Sequence, residues 1–179
     1  MFVFQVCFSQ SREEKNARCT KTNNLSEIQR LSHFPFSETS TVKLVSFKNK
    51  NIGIVGDELQ EHIDSIKLKE DKFNPLLYNE VATLDSLKIN KLTDIIYNYT
   101  YKKKPYSIRA ATCYMPRNAI FFIDNNNNII AYIEICFGCD AYRASAKEIN
   151  IGEYCNEKYE MIKSIFKDCK IEYGITMLE

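Results

Sequence analysis

Residues 113–139 read CYMPRNAIFFIDNNNNIIAYIEICFGC. This stretch holds the two most apolar runs of the chain, Ala119–Ile123 and Ile129–Phe137, and the only close pair of cysteines, Cys136 and Cys139. Both runs are rich in Ile, Phe and Tyr and too short to be separate helices, so they are predicted to be strands. Asn125–Asn128 lie between them. Asparagine tolerates left-handed backbone and closes its own turns, so these residues form a hairpin loop.

A one-residue slip in pairing turns every side chain to the other face, so register decides which residues meet. With Asp124 opposite Ile129, one face carries Ile120, Phe122, Ile129, Ala131, Ile133, Ile135 and Phe137. The other then gathers Arg117, Tyr132, Glu134 and Cys136. With Ile123 opposite Ile129, Cys113 faces Cys139, which favours a cross-strand disulfide, and Arg117 and Glu134 part company. The first register is preferred because it pairs the charges.

Glu134 sits inside an apolar run, where a carboxylate must be exposed, paired or functional. The plainer expectation is a solvent-facing position paired with Arg117. The sharper one is a pocket in which Arg117, Glu134 and Tyr132 bind something polar, with Cys136 alongside.

Cys136-Phe-Gly-Cys139 is a C-x2-C. In thiol oxidoreductases such a pair opens a helix, which lowers the thiolate pKa. Here it closes a strand, and no convincing helix follows. Together with Cys113 and Cys155 it offers four thiolates for zinc, but the usual two C-x2-C pairs are missing. Structural disulfides are the third reading and the one expected. Setting Cys7 aside leaves an even set, Cys19, Cys113, Cys136, Cys139, Cys155 and Cys169, with about 15 possible connectivities.

The pattern of a cysteine, a Pro-Arg (Pro116-Arg117), an apolar strand ending in Asp124 and a second strand reading EICFGC resembles one carried by small exported bacterial proteins without an assigned activity. The resemblance spans about residues 110–170 and includes Gly152–Tyr159. It implies export and brings Arg117, Glu134, Cys136 and Cys139 forward as a group, with no reaction to carry over.

Composition narrows the choices further. Basic and acidic residues nearly balance, 24 against 23, which gives no electrostatic case for nucleic acid. The one basic cluster, Lys102–Lys104, precedes Pro105 and reads as a solvated turn. With 5 glycines the chain has no Gly-rich phosphate loop, and its 2 histidines, His33 and His62, stand in unrelated contexts. No apolar run is long enough to span a membrane. Residues 1–10 are apolar, end in small and polar residues, and precede the charged Ser11–Lys15, as the remnant of a secretory signal peptide would. Disulfides persist in the periplasm or outside the cell, so localisation and cysteine count agree.

The remaining chain reads as a single domain over 18–179. Residues 11–24 are polar and expected to be poorly ordered unless Cys19 is tethered. Asn24 caps a short helix Leu25–Leu31, with Leu25, Ile28 and Leu31 on one side. Val42–Phe47 and Ile52–Val55 form a first hairpin, residues 58–82 are ambiguous, and Tyr78–Leu84 is a further short strand. Asp85 caps the clearest helix, with Leu87, Leu92, Ile95/Ile96 and Tyr99 at helical spacing. Ser107–Thr112 is a strand, Asp140–Asn150 a connector, and Glu148–Ile151 a short strand. Asn156 caps a last helix with Tyr159, Ile162, Ile165/Phe166 and Cys169 buried, and order ends at Gly174. The expectation is an α+β fold, an antiparallel sheet built from two hairpins with helices packed on one face. The function expected is non-catalytic binding of a protein or small ligand, without a cofactor. Zinc or thiol-redox chemistry at Cys136 and Cys139 is the alternative.

Overall fold

A computed structural model describes residues 12–48, 58–104 and 113–175. The fold is α+β. The strands are β1 Cys19–Lys21, β2 Thr41–Ser46, β3 Glu80–Thr83, β4 Tyr99–Tyr101, β5 Asn118–Ile123, β6 Ile129–Cys136 and β7 Ala141–Ala144. The α-helices are α1 Arg12–Ala17, α2 Glu27–Leu31, α3 Glu58–Asp64, α4 Ser86–Asn98 and α5 Lys158–Asp168. A five-stranded antiparallel sheet runs in the order β3-β2-β5-β6-β7, and a small second sheet pairs β1 with β4.

The central hairpin is β5–β6. Its loop is organised by Asp124, whose Oδ1 accepts from the Asn126 and Asn128 amides, both at 2.8 Å, while Asn127 takes the left-handed φ of 64°. The preferred register holds from Asn118↔Ile135 to Phe122↔Ala131. It slips at the loop end, where Ile123 pairs with Ile129. That bulge moves Ile129 to the face of Ala119 and Phe121 and puts Ile130 on the face of Ile120 and Phe122. Two adjacent isoleucines of equal hydrophobicity left the alternation silent about this slip.

Because β5 lies at the sheet centre, all its residues are buried and both of its faces are apolar. On one face Val42, Leu44, Ile120, Phe122 and Ile133 pack against Leu92 and Ile95 of α4 and against Ile162 and Phe166 of α5. On the other, Val45, Phe121 and Ile129 pack against Leu59 and Ile63 of α3, with Phe73 and Tyr78 completing the cover. Helices α4 and α5 occupy one face as expected. The short α3, from a segment ambiguous in sequence, covers part of the opposite face.

Local signals were partly right. Asp85 caps α4 through the Lys88 amide at 2.8 Å, yet Leu87 is 79% exposed and the buried stripe begins at Leu92. Helix α2 is capped by Ser26, in a capping box with Gln29, and not by Asn24. Its inward residue is Arg30, which donates to Leu25 O, Thr93 Oγ1 and Asn90 Oδ1, while Ile28 is exposed. Helix α5 buries Tyr159, Ile162, Ile165 and Phe166 as expected, with Glu157 and not Asn156 at its cap position. Its neighbour Lys158 reaches α4 and donates to Ile95 O (2.9 Å) and Tyr99 O (2.6 Å), satisfying carbonyls that the helix end leaves open. The predicted connector contains β7, the predicted strand at Glu148–Ile151 is irregular, and Ile175 is buried beyond Gly174. The expected strands Ile52–Val55 and Ser107–Thr112, and the apolar residues 1–10, lie outside the described residues. Strand β2 takes β3 and β5 as partners.

Candidate functional site

Glu134 projects from β6 opposite Ala119 of β5 and Arg143 of β7 and is 0% exposed. Its partner is Arg143, not Arg117. Arg143 Nε donates to Glu134 Oε2 at 2.8 Å, and a second guanidinium nitrogen lies 2.7 Å from the same oxygen. Arg143 also donates to Asp64 Oδ1 at 2.6 Å, at the end of α3. The solvent-facing position expected for Glu134 is therefore replaced by a buried carboxylate paired with Arg143, which in turn ties α3 to the sheet through Asp64.

Burial pushes the Glu134 carboxyl up from its ordinary value, and Arg143 only partly offsets it. Burial works against the Arg143 charge, but its bonds to Glu134 and Asp64 hold its pKa raised. Tyr114 completes the surroundings. Its hydroxyl is buried beside Glu134, and burial followed by the Glu134 charge pushes the phenol up. A carboxylate tied through one oxygen to arginine, beside a phenol that holds its proton, is built as a clamp.

Arg117 faces the same helix at its other end, 3.8 Å from Glu58. It shares α3 with Glu134 but not a bond. Tyr132 is half-buried, edge-on to Phe121 at 6.4 Å between ring centres, with burial raising its phenol pKa. Arg117, Glu134 and Tyr132 thus lie on the α3 side without converging on one ligand.

Four of the candidates do converge. Cys113, Arg117, Cys136 and Cys139 line an apolar cleft of about 270 Å³, with Met115, Phe137 and the Tyr173-Gly174 segment as its other walls. That last wall is fixed in place. Glu80 accepts from the Glu172 and Tyr173 amides, and Asn118 Nδ2 donates to Tyr173 O at 3.0 Å. Gly174 has a φ of 75°, and a Cβ there would come within 2.4 Å of Arg117 Cβ, so only glycine lets the chain pass this close.

Among the described residues the cysteines form two disulfides, Cys19–Cys155 and Cys113–Cys139, with Cα separations of 4.9 and 5.9 Å. Cys136 and Cys169 are free, the first buried and the second half-buried. The Cys113–Cys139 bridge forms although the register is not the one that sets these cysteines opposite each other. A turn, with the Cys139 amide donating to Cys136 O at 3.3 Å, carries Cys139 out of the strand and across to Cys113. Cys155 belongs with Cys19, so the four proposed zinc thiolates do not meet. Among the described residues no group of three or more His, Cys, Asp or Glu is placed to hold a metal. The histidines stay apart: His33 stacks on Tyr97, and His62 lies 3.0 Å from the Tyr78 hydroxyl.

Arg143, Asp64 and Tyr114 were not foreseen. Arg143 had a signal: continuing the β6 register past the tight turn at Gly138 places it opposite Glu134. Asp64 had none, because only the folded chain brings α3 to the sheet. Among the described residues no helix is long and apolar enough to cross a membrane. Comparison with protein-family models, curated proteins and solved structures finds no match to this chain.

Proposed function

We propose that the chain is an exported, periplasmic or secreted, α+β domain that binds a partner through the cleft beside Cys113–Cys139, without catalysis. The observation that carries this reading is the pair of disulfides, because such bonds persist where thiols are oxidised. The resemblance of residues 110–170 to small exported bacterial proteins, and the signal-like residues 1–10, agree with it. The cleft sets the kind of ligand. Its about 270 Å³ falls below the roughly 300–1,000 Å³ of sites that enclose a drug-sized molecule. It fits one or two apolar side chains of a protein partner, and Met115, 46% exposed at its edge, offers an adaptable contact.

Two measurements test this. The intact mass of protein taken from its native compartment, alkylated with and without reduction, is expected to show loss of an N-terminal segment and four protected cysteines. An uncleaved chain with every thiol alkylated refutes export. For the cleft, binding of an apolar fluorescent dye to the purified chain is expected to weaken about tenfold in Met115→Asp, with the unfolding midpoint unchanged, since burying the new charge costs at least 1.4 kcal/mol. Unchanged dye binding would remove the cleft as the site. A second reading, thiol chemistry at Cys136 and Cys139, is favoured by the free thiol of Cys136 lying in the same cleft as a disulfide.

A further inference from the structure

We propose that Cys113, Cys136 and Cys139 form a thiol–disulfide exchange site, in which one bridge moves between Cys113–Cys139 and Cys136–Cys139. This rests on the thiol reading and is independent of the binding reading.

All three cysteines line one cleft, and only Cys136 carries a thiol. Cys139 is within reach of both of the others. It is bonded to Cys113 across a Cα separation of 5.9 Å. It also follows Cys136 in a hydrogen-bonded turn, a geometry that brings first and last Cα atoms within about 7 Å, while disulfides span about 4.4–6.8 Å. Cys136 Sγ lies 3.5 Å from Met115 O, so it already points at the segment that carries Cys113. Space around the turn is open, because a Cβ on Gly138 would meet nothing within 4 Å.

In the exchange, Cys136 gives its thiol proton to water and its sulfur attacks Cys139 Sγ. The Cys136–Cys139 bond forms as the Cys113–Cys139 bond breaks, and Cys113 leaves as a thiolate that takes a proton from water. Nothing is oxidised or reduced overall. The direction of attack has a consequence. The buried thiol is exchanged for an exposed one, since Cys113 is open to solvent and Cys136 is buried. The leaving sulfur is solvated, which helps the step, and Cys113 becomes the point where an external disulfide or electrophile attaches.

The test is native labelling of the oxidised full-length chain with N-ethylmaleimide, without reductant, followed by unreduced peptide mapping. The expected product carries the label on Cys113 and a Cys136–Cys139 bond, with a rate rising about tenfold per pH unit below the thiol range. Cys136→Ser is expected to abolish Cys113 labelling and keep Cys113–Cys139, while Cys169 labels equally in both chains. Label on Cys136 with the original bridge intact would overturn the proposal, as would Cys113 labelling that persists in Cys136→Ser. Should Cys136→Ser fail to fold, Cys113→Ser decides: a Cys136–Cys139 bond supports the exchange, and two free thiols there refute it.

Discussion

The two faces of the central sheet are covered in different ways. One packs apolar side chains of β2, β5 and β6 against α4 and α5, and the cations buried beside it, Arg30 and Lys158, donate to polar groups of α4. The other carries a smaller apolar cluster under the short α3, and its rim is charged: Arg117 meets Glu58 at one end of the helix, and Arg143 joins Asp64 and Glu134 at the other. Long helices bury enough surface to dock by hydrophobic burial alone. A helix with only Leu59 and Ile63 buried does not, and ion pairs set where it sits. Burying ions adds little net stability but makes wrong placements expensive, so the second face is held in position more than it is held together.

The largest effect is expected on the first face. Phe122→Ala removes a fully buried ring and should cost about 3–5 kcal/mol in denaturant unfolding. A cost below about 1 kcal/mol would mean that this face is not the main core. Next comes the clamp. Arg143→Ala strands the Glu134 carboxylate, and because Arg143 is partly solvated the loss should be about 2–3 kcal/mol, below the range for fully buried pairs. The comparison sharpens if Glu134→Leu with Arg143→Leu costs less than Arg143→Ala alone. Were the double variant worse, the pair would be a net source of stability.

A pH series gives a smaller signal. The folded Glu134 pKa is raised above its ordinary 4.5, with burial the leading cause. The folded state therefore keeps this proton where the unfolded chain has lost it. That contribution is fully present below pH 4.5 and fades as pH rises through the folded value. Relative to Glu134→Gln, which stays uncharged at every pH, the native chain should lose stability as urea midpoints are followed from pH 4 to 7. A native chain that gains on Glu134→Gln over that range would mean that the Arg143 bond outweighs burial. Smallest of all, Ile28→Ser should change stability by less than about 0.5 kcal/mol, because Ile28 is 82% exposed despite its place in a helical apolar pattern.

Sequence exposed the first face better than the second for a physical reason. Alternation and helical spacing report burial against a large partner, so β5, β6, α4 and α5 were readable, and so was the register from Asn118 to Phe122. The bulge at Ile129-Ile130 was not, since either isoleucine satisfies either face. Glu134 was recognised as needing a partner, but Arg117 and Arg143 are equivalent as letters. The choice between them was made by β7, whose Ala141–Ala144 lacks the β-branched residues that mark strands. Of the cleft, Cys113, Arg117, Cys136 and Cys139 were named in advance. Tyr173 and Gly174 were not, because they arrive only when the end of the chain folds back over Asn118.

The Cys19–Cys155 bond also changes how damage to the molecule would look. It links residues 136 apart in sequence, so every strand of the five-stranded sheet lies within one covalent ring. A protease cutting one peptide bond anywhere inside that ring opens it without dividing it. The nicked chain keeps its parts together, runs as a single species on a non-reducing gel, and falls into two fragments only when reductant is added.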